Sequence, residues 1–156
     1  MESRDSNGSP VTPLNRSTVT VDSAHLYGAS MARTDSCIAI VDDEVFVRTA
    51  LARLLRLSGY EAVTYASGDD FLAALEGRRP DCVLLDIHMP GLSGLDVKDR
   101  LTTMRIHLPV IFITASDEVD SALAARAGSC LLHKPFTNND LLTAIAAALK
   151  LRPLVK

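Results

Sequence analysis

Three short polar strings stand at the ends of three apolar runs: Asp42-Asp43-Glu44 after CIAIV, Asp86 after CVLL, and Lys134-Pro135 after CLLH. In an open parallel sheet the carboxyl ends of the strands line one edge, where ligands sit. If the three runs are such strands, Asp42, Asp43 and Asp86 meet one ammonium, that of Lys134, at a single point. Carboxylates crowd together only around a cation, and one or two carboxylates completed by phosphate oxygens suit Mg²⁺. A fourth run, VIFIT, ends in the hydroxyl of Thr114. This set is suited to phosphoryl transfer onto a carboxylate. The metal would offset the charge on Asp86 and on the incoming group, with Thr114 and Lys134 contacting phosphate oxygens. Asp86, preceded by four apolar residues, is expected to be the most deeply set of the carboxylates.

The elements that must position these groups alternate regularly from Ser36 onward. Cys37–Val41 reads as a strand buried on both faces, and Val45–Leu57 as a helix that stops before Gly59. Glu61–Tyr65 is a short strand. Ser67-Gly-Asp-Asp70 and Ser93-Gly-Leu-Asp96 each open a helix, the serine accepting from a backbone N–H three residues on. Cys82–Leu85, Pro109–Ile113 and Cys130–His133 are the remaining strands. Glu118–Ala127 is a helix ending at Gly128, and Thr137-Asn-Asn-Asp140 caps a last helix running to about Lys150. Five β/α units imply a parallel sheet with helices on both faces. Pro135 biases the chain after Lys134 towards extended or cis geometry. Met89-Pro90-Gly91 reads as a turn, and His88 as an exposed loop residue near enough to Asp86 to influence hydrolysis or metal hydration.

Composition narrows the class. A chain of 156 residues, 47% hydrophobic, is one domain with a tail. Its mean hydropathy is +0.17, yet no apolar run approaches the roughly 18 residues of a membrane span. A net charge of −3, with no cluster of Lys and Arg, argues against direct DNA binding. Cys37, Cys82 and Cys130 form no C-x-x-C pair and adjoin apolar runs, so they read as reduced core thiols of a cytoplasmic protein. Residues 1–35 are rich in Ser, Thr, Asn, Asp and Gly and lack an apolar signal region, which predicts a disordered extension. Met31 is a plausible true start. The folded domain is expected over 36–150, followed by a short tail over 151–156.

From about Ser36 to Leu149 the chain resembles the receiver domain of bacterial two-component response regulators. The matching pieces are I-V-D-D-E (40–44), L-L-D-I-H-M-P-G (84–91), V-I-F-I-T-A (110–115) and K-P-F (134–136), in that order. The stretch L-P-V-I-F-I-T-A, following M-P-G-L-S-G-L-D, is most similar to receivers of nitrogen-fixation and LuxR-type regulators. The resemblance implies a doubly wound, flavodoxin-like (βα)5 sheet. It implies that Asp86 accepts the phosphoryl group and that Asp42 or Asp43 binds Mg²⁺ together with Asp86. Thr114 becomes the switch hydroxyl, and Lys134 the partner of the phosphoryl group. A histidine kinase or histidine phosphotransfer protein is the implied phosphodonor, and a downstream protein the implied target.

Two departures bear on output. Receivers usually carry Tyr or Phe three residues before the Lys, where this chain has Leu131, and the segment from Thr114 to Lys134 looks a residue or two short. Both fall where receivers dimerise or dock, so a phosphorylation-dependent homodimer stands beside constitutive, phosphorylation-independent binding as the expected output. Most family members continue into an output domain, whereas this chain ends soon after its last helix, which reads as a stand-alone receiver. A dehalogenase-like phosphatase would need a general-acid Asp two residues after the nucleophile, where His88 stands.

Overall fold

The computed structural model describes residues 35–115 and 130–151. The expected helix at 118–127, the shortened segment around it, the N-terminal extension with Met31 and the tail after 151 lie outside the described residues. Within them the chain forms β1 (Cys37–Val41), α1 (Val45–Leu57), β2 (Glu61–Tyr65), α2 (Gly68–Ala74) and β3 (Cys82–Asp86). It continues through α3 (Gly94–Thr103), β4 (Val110–Thr114), β5 (Cys130–His133) and α4 (Asn138–Leu151).

The five strands make one parallel sheet in the order β2-β1-β3-β4-β5. β1, β3 and β4 are buried along their whole length, which is why each reads as an unbroken apolar run. Their side chains alternate between two faces. Ile38, Ile40, Leu84, Ile111 and Ile113 pack against Leu51 and Leu55 of α1 and Leu141 and Ile145 of α4. Ala39, Val41, Val83, Leu85 and Phe112 pack against Phe71 of α2 and Val97 and Leu101 of α3. Leu131, half-buried, packs against the second of these clusters.

Local signals set the helix ends. Ser67 Oγ accepts from the Asp70 N–H at 3.1 Å. Ser93 and Asp96 bond reciprocally, as do Thr137 and Asp140, so that α3 and α4 each start in a capping box. α1 ends where Gly59 turns to a φ of 95°, a left-handed value that a side chain would strain.

The structure corrects several expectations. β3 runs on to Asp86, and β4 is Val110–Thr114, one residue later than expected at each end. Cys37 and Cys82 are buried thiols, Cys82 pushed up to about 12 by burial, but Cys130 is exposed because it opens an edge strand. Val45, the first residue of α1, is an apolar side chain left 52% exposed. Met89, in the Met89-Pro90-Gly91 stretch read as a turn, is buried in the core. No helix among the described residues is long and apolar enough to cross a membrane.

Candidate functional site

The chain reverses direction in the sheet between β1 and β3: β2 is laid down on one side of β1, and β3 on the other. Such a switch point leaves a crevice at the strands' carboxyl ends. Asp42 follows the last residue of β1 and stays tied to the sheet through its N–H, which donates to the Tyr65 carbonyl at 3.2 Å. Its Oδ1 accepts from the Glu44 N–H at 2.9 Å, a side-chain turn that launches α1 in place of a cap at Glu44. Asp86 ends β3 opposite Ile113, and its Oδ1 accepts from the His88 N–H at 3.3 Å.

Carboxylate oxygens of Asp42, Asp43 and Asp86 lie within 4.8 Å of one another. Asp42 is the most buried at 1% exposure, against 6% for Asp86, so the expectation that Asp86 is deepest is corrected. Asp42 sits where β1 is flanked by both β2 and β3, whereas Asp43 is already exposed on the loop.

Lys134 completes the group from the other side. Its N–H donates to the Thr114 carbonyl at 2.8 Å, locking the end of β5 to that of β4. Its Nζ lies 3.7 Å from Asp42 Oδ2. Thr114 is fully buried at the end of β4. The Lys134–Pro135 peptide is cis. His88 is exposed, as the loop reading expected.

Burial, then the neighbouring charge of Asp42, pushes the Asp86 carboxyl up to about 6, with Lys134 opposing. Burial also raises Asp42, against the Glu44 N–H and Lys134. Asp42 Oδ2 is buried and makes no hydrogen bond, since Lys134 is near enough for an ion pair but too far for a bond. An uncompensated buried oxygen costs free energy. Three hard oxygen donors, one of them orphaned, fit a divalent cation of the Mg²⁺ type.

Two residues supporting this site had not been singled out in the sequence. Arg48 Nη1 donates to the Asp42 carbonyl at 2.6 Å, fixing the backbone beneath the carboxylate. Gly94, the first residue of α3, lies so close to the end of β3 that a Cβ there would collide with the Asp86 carbonyl oxygen and meet Ile87 Cα at 2.9 Å. A glycine between Ser93 and a capping Asp was the only available signal. Because the obstacle is backbone, Gly94→Ala is expected to destabilise the protein by about 2–3 kcal/mol. Urea unfolding measures this; a loss under ~0.5 kcal/mol would mean that α3 shifts freely.

The receiver-domain model of response regulators matches residues 38–146. Nodulation protein W of Bradyrhizobium diazoefficiens is 35% identical over 123 residues, covering 78% of this chain and 54% of that protein. Response regulator protein TmoT of Ectopseudomonas mendocina is 39% identical over 124 residues, covering 78% and 56%. Among solved structures, a receiver protein from Burkholderia phymatum shares 40% identity at a TM-score of 0.68, covering 78% of this chain and all of that one. The FixJ-N structure shares 31% identity at a TM-score of 0.73, covering 78% and 99%. The chain spans about half the length of the curated relatives it matches. With the strand order, the carboxylate cluster and these similarities in agreement, the chain belongs to the response regulator receiver domain family.

Proposed function

We propose that this receiver accepts a phosphoryl group from a phosphohistidine onto Asp86, and that the phosphorylated domain signals through a protein partner. The observation that carries this reading is the convergence of three carboxylates within 4.8 Å, one with an orphaned buried oxygen, beside a lysine and a buried threonine. Asp42, Asp43 and Asp86 would hold Mg²⁺. When bound, Mg²⁺ supplies positive charge that keeps Asp86 ionised and offsets the charge of the phosphoryl oxygens.

The chain's own residues do the rest. Asp86 is held at the sheet edge with Oδ1 engaged by the His88 N–H, which leaves Oδ2 as the nucleophile. As the new O–P bond forms, the N–P bond of the phosphohistidine breaks. Its electron pair returns to the ring nitrogen, and because the donor's other ring nitrogen carries a proton before transfer, the imidazole leaves as the neutral ring. Lys134 pairs with Asp42 before transfer and would move to the phosphoryl oxygens after it, while Thr114 offers a hydroxyl from the adjacent strand. A histidine kinase or histidine phosphotransfer protein would be the donor.

Incubation with phosphoramidate, whose P–N bond mimics phosphohistidine, tests this reading. Intact mass should show one added phosphoryl group with Mg²⁺ and none after chelation. Uptake independent of the metal would contradict the reading. Lys134→Ala is expected to retain uptake, slowed about tenfold, while the amide chemical-shift changes that follow phosphorylation shrink markedly. Unchanged shifts would remove Lys134 from the response.

A further inference from the structure

One face of α1 carries Val45, Arg48, Thr49, Ala52 and Arg56, positions spaced at three and four residues so that they stack along a single stripe. With Thr64 of the edge strand β2 they line a groove of about 200 Å³. Ala52, small and buried, keeps the middle of the groove open. Arg48 donates to the Asp42 carbonyl at 2.6 Å, and Arg56 to the Ala62 carbonyl at 2.9 Å. Neutral carbonyls orient both guanidinium groups without neutralising them. Among the described residues no carboxylate forms an ion pair with either, whereas Arg78 nearby is paired with Glu61 at 2.7 Å.

The geometry points to a small-oxyanion site in this groove, beside the carboxylate cluster and joined to it through the Arg48 bond to the Asp42 carbonyl. Each guanidinium has five N–H donors and spends one on a backbone carbonyl, so a planar fork remains for bidentate contact with phosphate or carboxylate. The hydroxyls of Thr49 and Thr64 add neutral donors from the helix and the strand. The volume is below the roughly 300 Å³ at which drug-sized sites begin, so the ligand is compact: inorganic phosphate, a small phosphomonoester or a short dicarboxylate.

The test uses the whole ¹⁵N-labelled chain without Mg²⁺, titrated at constant ionic strength with inorganic phosphate and, separately, with glutarate. Saturable shifts at the Thr49, Ala52 and Thr64 amides are expected, with affinity about tenfold weaker in R48Q and in R56Q. A response to phosphate alone assigns the phosphate class, and a response to both assigns any oxyanion that fits the guanidinium fork. If a variant fails to fold, the wild-type map still decides. Non-saturating shifts, shifts centred on Lys134 in place of the groove, or unchanged affinity in both folded variants would overturn the site.

Discussion

Asp86→Asn is expected to reduce phosphoryl uptake by at least about a thousandfold while leaving the fold intact and making the metal-free protein more stable at neutral pH. Loss of uptake follows because an amide oxygen is a far poorer nucleophile than a carboxylate. The gain in stability follows from the pKa. Asp86 titrates near 6 in the folded chain against 3.8 for an unperturbed carboxyl, so between these values the folded state holds a proton that the unfolded state has lost. Wild-type stability therefore falls as the pH rises from about 4 to about 6, and the deficit persists at pH 7. Asparagine does not titrate and escapes this cost. The full difference would be roughly 3 kcal/mol; allowing for water reaching the crevice, about 1–2 kcal/mol is expected. Urea melts of both proteins at pH 4 and pH 7 without metal measure it. A difference that does not widen towards pH 7 would show that Asp86 is not strained by burial. Saturating Mg²⁺ should narrow the gap, because it stabilises the wild type alone.

Asp42→Asn is expected to weaken Mg²⁺ binding about a hundredfold, and phosphoryl uptake at limiting metal by a similar factor. Asp42 is the most buried carboxylate, and its Oδ2 has no hydrogen bond to lose. Removing its charge would delete one of the proposed ligands, release Lys134 from its ion pair and relieve the repulsion that helps raise Asp86. Loss of one charged interaction of this kind is worth roughly two decades in affinity. Quenching of Tyr fluorescence by Mn²⁺, or calorimetry with Mg²⁺, would supply the affinity. Unchanged binding would move the metal to Asp43 and Asp86 alone. Asp43→Asn is a useful contrast: that side chain is exposed, and its loss should weaken binding less.

Much of this architecture was legible in the residues. Cys37–Val41, Glu61–Tyr65 and Cys130–His133 are strands with the expected bounds, because each is a short run that ends at a turn or a charge. The caps at Ser67, Ser93 and Thr137 form as their spacing implied. What escaped reading depends on neighbours distant in sequence. Cys130 is exposed because β5 lies at an edge, and the alternation of elements does not specify which strand takes the edge. Asp42 is deeper than Asp86 although both leave strands flanked on two sides, so the length of the preceding apolar run does not set the depth of the carboxylate. The need for glycine at 94 arises from α3 abutting the end of β3, and the Arg48 bond spans a helix turn and a loop. Leu131, an aliphatic residue at the family's aromatic position, packs into the α2–α3 side of the core.

The most direct measurement is to locate the phosphoryl group. Protein incubated with phosphoramidate and Mg²⁺ is reduced with borohydride, which converts an aspartyl phosphate to homoserine, and its peptides are sequenced by mass spectrometry. Homoserine at position 86, absent without Mg²⁺ and absent from unphosphorylated protein, is the predicted result. Homoserine at 42 or 43, or no reduced residue in protein that has gained phosphate, would contradict Asp86 as the acceptor.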